Sequence, residues 1–272
     1  MSDPERKPAA PPPIPLEADR FTAPSLPGQV VLREDIEELG NTLGAELFLH
    51  ANNCVRSFGD FHLALSGGST PLPFYERLMV DPMFRSFPWP RTHLWIVDER
   101  RVPFTDDRSN FRHIEECLVH HSDIPKENVH PMQAMHADAD LEYEAELREA
   151  LAWREKGQDR LDFALLGLGT DGHTASLFPH SPALAERERL VKINAGPKVT
   201  PPDRVTMTFP LLNATRFVAF LATGAGKRDM IARIARRIDR VEDIPALGIA
   251  PIGGVLKWFI DHEACPREKA QS

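Results

Sequence analysis

Four short stretches of this 272-residue chain carry the residues that could do chemistry. In LLGLGTDGHTASLFP (165–179) a glycine-bounded turn presents Asp171 and His173. Imidazole has the unperturbed pKa nearest neutrality, so a histidine displayed there is a natural proton acceptor. A histidine that only caps a helix or fills a polar pocket fits the same residues, and the turn alone leaves both readings open. In SGGST (66–70) Gly67 and Gly68 have no side chains to block an anion, and Thr70 can cap a helix begun by Pro71. With the free N–H groups of a helix start, this suits a phosphate cradle. A plain strand-to-helix turn would read the same. DERR (98–101) places Asp98 and Arg100 after an apolar run, where a guanidinium can bind phosphate or carboxylate through paired hydrogen bonds. A solvated charge run is the bland alternative. Lys227, after Gly224 and Gly226, starts a helix-like stretch where a cation is locally unfavourable unless an anion sits beside it.

Several familiar signatures are absent. Gly167, Gly169 and Gly172 spell G-x-G-x-x-G, but Pro179 and Pro182 cut short the helix a dinucleotide fingerprint needs. Glu186 and Glu188 also precede the next β-type run instead of ending it. TGAGKR is not a P-loop, since Leu221 stands where glycine is required and Arg228 replaces the metal-binding hydroxyl. H-E-x-x-H and G-x-S-x-G do not occur, and His113, His120 and His121 read as surface residues. No metal and no cofactor is expected.

The elements that must position these loops alternate. FHLAL (61–65), HLWIV (93–97), LDFALLGL (161–168) and RFVAFLAT (216–223) are apolar runs of strand type, each ending in one of the loops and followed by a helix-like pattern. RVTMTF (204–209) and VLKWFI (255–260) read as further strands of the same sheet. Ahead of them, Ile36, Leu39, Leu43, Leu47, Ala51 and Val55 fall on one face of a helix. Continuous apolar strands alternating with helices give a doubly wound α/β fold, Rossmann-like, with a mostly parallel sheet and helices on both faces. Ligands of such folds sit at the carboxyl ends of the strands, so the four loops should converge.

Composition bounds the rest. Forty acidic against 32 basic residues give a net charge of −8, which argues against nucleic acid and anionic membranes as partners. Eight of the 25 prolines lie in residues 1–28, expected as a disordered tail; PPPIP could dock an SH3-like partner, but such tails are common. Residues 29–265 are expected to form one α/β domain and 266–272 a C-terminal tail. Three scattered cysteines, no apolar leader and no membrane-length apolar stretch suggest a soluble cytoplasmic protein.

Taken together, ALSGGSTPLPFYERL, WIVDERRVPFTDDRSNF, LLGLGTDGHTASLFP, RVTMTFPLLNATRFVAFLATGAGK and VLKWFID resemble the 6-phosphogluconolactonases of the pentose phosphate pathway, over about residues 30–264. The related glucosamine-6-phosphate deaminases share the phosphate loop, but their G-x-D-G-H turn continues IAFNEP where this chain has TASLFP. The resemblance implies hydrolysis of a sugar-phosphate lactone by water activated at His173. It makes Asp98 a further site acid and Ser66, Gly67, Gly68, Ser69 and Thr70 the phosphate loop; Asp171, presented by the same turn as His173, is a further candidate catalytic residue. Arg100 and Lys227 become the substrate-binding cations, with Asn110 bracing the site. The segment HSPAL after LFP, where many members have glycine first, and the Pro-rich tail depart from the pattern. An amino-sugar-phosphate isomerase or deaminase and a catalytically silent sugar-phosphate sensor are the alternatives. A monomer or weak dimer is expected.

Overall fold

The main sheet grows from segments apolar enough to be covered on both sides. In a computed structural model describing residues 21–196, 199–201 and 203–267, strands β1 (Gln29–Arg33), β2 (Phe61–Leu65), β3 (Thr92–Ile96), β5 (Val129–His130), β6 (Phe163–Gly167), β9 (Phe217–Ala222) and β10 (Val255–Asp261) form one sheet. Its order is β1-β10-β9-β6-β2-β3-β5, and every pairing is parallel. All five residues of β2 and all six of β9 are buried, as expected for strands covered on both faces.

The chain reverses direction within this order. From β2 it steps to β3 and β5, then returns to β6 on the other side of β2 and continues outward through β9 and β10. Right-handed crossovers running in opposite directions put their helices on opposite faces. The reversal lies between β2 and β6, so the loops after these strands flank the crevice where such folds bind ligands.

Helices α1 (Ile36–Phe58), α2 (Leu72–Val80), α3 (Asn110–Cys117), α4 (Ala139–Leu151), α5 (Phe209–Ala214) and α6 (Arg228–Arg236) cover and connect the strands. α1 begins where Asp35 accepts hydrogen bonds from the N–H groups of Glu37 and Glu38, and ends at Gly59, whose φ of 91° is left-handed. Leu39, Leu43, Leu47 and Ala51 are buried as the stripe requires. Ile36 departs from it, being 42% exposed in the first turn.

Three differences from the sequence reading bear on the site. Residues 203–207 leave the main sheet: β8 (Asp203–Met207) pairs antiparallel with β4 (Asp98–Arg100) and β7 (Val191–Ala195) in a small second sheet. Arg204 and Thr206 interrupt the apolar run and do not suit a strand covered by apolar side chains on both faces; Thr206 Oγ1 instead accepts from the Ser176 N–H at 3.1 Å, and the Arg204 guanidinium donates to the Asp203 carbonyl at 3.0 Å. DER is therefore a strand, not a loop. No α-helix follows β6. Pro179 and Pro182 lack N–H groups, and the chain takes a bridge between Thr174 and Leu177 and one turn of 3-10 helix at Pro182–Ala185.

Residues 21–28, expected as part of the tail, pack on the body. Phe21 stacks on His262 with ring centroids 4.0 Å apart, Leu26 is buried, and the Trp258 Nε1–H donates to the Pro27 carbonyl at 2.7 Å. Residues 1–20 and 268–272 lie outside the described residues. No helix among the described residues is long and apolar enough to cross a membrane.

Candidate active site

Each strand of the switch point ends in a loop with its own local logic. After β2, the Tyr75 hydroxyl donates to the Ser66 carbonyl at 2.6 Å and fixes the loop's departure. Gly68 has a φ of 95° with open space around it, a conformation that favours glycine. Gly67 is required for another reason: a Cβ there would run into the carboxamide of Asn110. Thr70 does not cap α2. The helix starts one residue later, after Pro71, and no side chain caps its first N–H groups.

β4 carries Asp98 and Arg100 on either side of Glu99. Glu99 is fully buried and accepts hydrogen bonds from the N–H groups of Arg100, Asn110 and Phe111 at 2.7–2.8 Å and from the Ser109 hydroxyl at 3.0 Å. Burial pushes its carboxyl above the ordinary value, and these donors partly offset the push. The carboxylate thereby clasps the start of α3 to β4 and sets Asn110 beside Arg100. The Asn110 carboxamide donates to the Asp98 carbonyl at 2.7 Å, and the Arg100 guanidinium donates to the Arg108 carbonyl at 2.6 Å.

After β6, Gly172, with a φ of 87°, closes the turn through its N–H to the Gly169 carbonyl at 3.0 Å. His173 donates both its backbone N–H and its Nδ1–H to Asp171 Oδ1, at 3.1 and 2.5 Å. A carboxylate only accepts, so Nδ1 carries the proton and Nε2 keeps a lone pair. Burial pushes the Asp171 carboxyl up, but the hydrogen bond and charge of His173 outweigh it and hold it below its ordinary value. A Cβ on Gly169 would strike the imidazole, so glycine is needed for the ring to lie back over the turn.

After β9, the Gly224 N–H donates to both oxygens of Asp261 at 3.0 Å, which ties the loop to the end of β10. Lys227 follows, half-buried and without an ion pair among the described residues. Burial draws its ammonium below the ordinary pKa, opposed by the charge of Asp171.

These groups share one cleft of about 320 Å³. Ser66, Gly67, Gly68, Ser69, Thr70, Asp98, Arg100, Asn110, His173 and Lys227 all line it. Asp171 does not, and supports His173 from outside. Two polar atoms of the lining, Ser66 Oγ and Asn110 Oδ1, are buried without a hydrogen-bond partner, an arrangement a ligand or ordered water normally relieves. A larger groove of about 640 Å³ between α2 and α3 contains Cys117 but none of the strand-end loops. Asp60, His62 and His93 bring three metal-capable atoms within 4.8 Å of one another at the opposite end of the sheet. They do not offer converging lone pairs: Trp95 Nε1–H donates to His62 Nδ1 at 3.0 Å, leaving His62 Nε2–H to donate to Asp60 at 3.1 Å. Asp60 is also held by Arg154 at 2.5 Å.

Glu99, Ser176 and Asp261 escaped the sequence reading. Glu99 read as one charge in the DERR run, and nothing in the sequence singled out Ser176 or Asp261.

The chain is similar in sequence and overall fold to known proteins. Residues 34–258 match the family described as glucosamine-6-phosphate isomerases/6-phosphogluconolactonase. The chain is 39% identical over 233 residues to the GDH/6PGL endoplasmic bifunctional protein of Homo sapiens, covering 84% of this chain but 29% of that protein, so it spans under a third of that relative's length. It is 39% identical over 209 residues to the 6-phosphogluconolactonase of Synechocystis sp., covering 76% of this chain and 84% of the other. The crystal structure of 6-phosphogluconolactonase from Thermotoga maritima superposes with a TM-score of 0.73 at 32% identity, covering 86% of this chain and 99% of that one.

Proposed function

The chain belongs to the glucosamine-6-phosphate isomerase/6-phosphogluconolactonase family, and from that premise we propose that it hydrolyses 6-phospho-D-glucono-1,5-lactone to 6-phosphogluconate in the pentose phosphate pathway. The observation that carries this reading is the pairing, in one cleft, of an imidazole whose Nε2 is free with a half-buried lysine that lacks an ion pair among the described residues.

The lactone's 6-phosphate lies against the Ser66–Thr70 loop, Arg100 and Lys227, where charge-assisted hydrogen bonds are worth about 1.5–3 kcal/mol each. That binding energy, gained far from the reacting carbon, orients the ring. Water attacks the C1 carbonyl while His173 Nε2 takes its proton, and Asp171 stabilises the imidazolium. General-base catalysis of this kind contributes about 10²–10⁴-fold. The tetrahedral oxyanion then collapses with cleavage of the bond between C1 and the ring oxygen. The imidazolium returns its proton to that oxygen as it becomes the 5-hydroxyl, and the new carboxylic acid loses its proton to solvent. Backbone N–H groups of the strand-end loops are the donors proposed for the oxyanion. A strained cyclic ester is activated enough for this sequence without a covalent intermediate.

Three free thiols suit the reducing cytoplasm, and a monomer or weak dimer is the proposed working state. The test is continuous acid release from freshly prepared lactone, with spontaneous ring opening subtracted. Enzyme-dependent acid release supports the reading. Ammonia release from glucosamine 6-phosphate instead would make the chain a deaminase, and binding without turnover a sensor.

A further inference from the structure

Asp98 lines the cleft yet is 8% exposed, and among the described residues its side chain takes one protein hydrogen bond. The donor is the Ser176 hydroxyl, at 2.6 Å from Oδ2. Arg100 and Arg204, its nearest cations along β4 and β8, direct their recorded guanidinium hydrogen bonds to the carbonyls of Arg108 and Asp203 instead. Oδ1 is therefore the oxygen left to the cleft.

Ser176 is itself immobilised. It is 1% exposed, its N–H donates to Thr206 Oγ1 at 3.1 Å, and its carbonyl accepts from Asn194 Nδ2 at 2.8 Å. Both partners come from the second sheet, and Thr206 is also the residue directly opposite Asp98 in the β4–β8 pairing. Asp98, Ser176 and Thr206 thus close a ring of contacts that joins β4 to the turn carrying His173, three residues before Ser176. The small sheet supplies the rigid frame, and the serine hydroxyl connects the acid to it.

We propose that Ser176 is a positioning residue of this site: its hydroxyl pins one oxygen of the Asp98 carboxylate, so that the other is held toward the cleft as a fixed acceptor for a ring hydroxyl of the substrate. The identity of that substrate rests on the lactonase reading above. A free carboxylate would rotate between the cleft and the protein wall, and its hydrogen bond to the sugar would have to be ordered anew at each encounter. Unlike a proton shuttle, an acceptor held this way discriminates sugars that present a hydroxyl from those that lack it.

The test is the kinetics of Ser176→Ala, Ser176→Cys, Asp98→Asn and the Ser176→Ala/Asp98→Asn double variant on 6-phosphogluconolactone, with melting temperatures alongside. Ser176→Ala is expected to lower kcat/KM by about tenfold or more, as befits a lost bond to a charged group, with little change in melting temperature. Ser176→Cys, which keeps a weak donor, falls between it and wild type. Adding Ser176→Ala to Asp98→Asn lowers kcat/KM no further, because the serine acts through the carboxylate. Unchanged kcat/KM in Ser176→Ala, multiplicative losses in the double variant, or a loss that follows melting temperature with no intermediate rate for Ser176→Cys would each overturn the proposal. A wild-type protein that does not hydrolyse the lactone would sink the functional reading, a result distinct from all of these.

Discussion

The two ends of the parallel sheet use the same kinds of polar residue for opposite purposes. At the amino ends of β2, β6 and β9, Arg154 donates to Asp60 at 2.5 Å and to both oxygens of Asp162, Arg216 donates to Asp162 at 2.9 Å, and Asp162 also accepts the His62 N–H at 2.8 Å. Apart from Arg154 Nε, this network leaves no buried side-chain nitrogen or oxygen of these residues unpaired. At the carboxyl ends, Ser66 Oγ and Asn110 Oδ1 have no partner, Lys227 has no ion pair among the described residues and Asp98 has one donor. Buried polar groups that satisfy one another lock a fold; those left open await a ligand. On the proposed reading, the contrast divides charges that hold the fold from charges that face a ligand.

The sharpest way to break this contrast is Arg154→Ala. It takes one cation from two almost wholly buried carboxylates, of which Asp162 keeps Arg216 and Asp60 keeps the His62 hydrogen bond, so the loss should fall at the lower end of the about 3–5 kcal/mol typical of breaking a buried pair. Urea unfolding should show a loss of that size, while kcat and KM of the folded protein stay at wild-type values. A variant of normal stability but poor activity would mean that the two ends are not independent.

The mirror experiment is His173→Ala. Its side chain is 30% exposed and bonds only Asp171 among the described residues, so melting temperature should hardly move. Turnover should fall by about 100-fold with little change in KM, as expected for loss of the proton acceptor alone. Near-normal turnover would remove His173 from the chemistry.

Lys227→Ala should act more mildly. On the proposed placement, in which Arg100 and the loop also hold the phosphate, removing one point charge should raise KM by about tenfold and leave kcat within a few-fold. An unchanged KM would place the phosphate elsewhere in the cleft.

How much of this was legible in the sequence depended on the range of the interactions concerned. FHLAL and RFVAFLAT reveal themselves because strands covered on both faces are continuous apolar runs. The loops that follow them could be assigned to one cleft because strand order and ligand position are linked in this fold class. β4 could not be read, since Asp98–Arg100 is charged and is a strand only because β8 pairs with it from more than 100 residues away. Ser176 and Glu99 were hidden for the same reason: their meaning lies in partners 78 and 12 residues distant and in complete burial. Thr70 misled in the other direction. Its type suits a cap, but Pro71 and the open phosphate loop displace the helix start by one residue and leave the N–H groups free.

The smallest expected effect concerns how the amino end of the sheet responds to acid. His62 and His93 stack on adjacent strands with centroids 4.5 Å apart, and His93 Nδ1 lies 3.1 Å from His130 Nε2. Burial first, then the neighbouring His62 and His130, pull the His93 imidazole down to about 4; burial also lowers His62, against the opposing hydrogen bond and charge of Asp60. A base whose folded pKa is depressed is held neutral in the native state, while the unfolded chain takes up protons below about 6.5. The associated stability is thus complete above that value and drains away as pH falls toward about 4. Because His93 is partly exposed, solvent screening reduces the effect to about 1 kcal/mol between pH 7.5 and pH 5. Unfolding free energies measured at those two values should differ accordingly. In His93→Phe, which keeps an aromatic ring against His62 but cannot titrate, part of the difference should vanish. An identical pH response in that variant would move the acid sensitivity away from the histidine stack, and with it the view that this end of the sheet is built for stability alone.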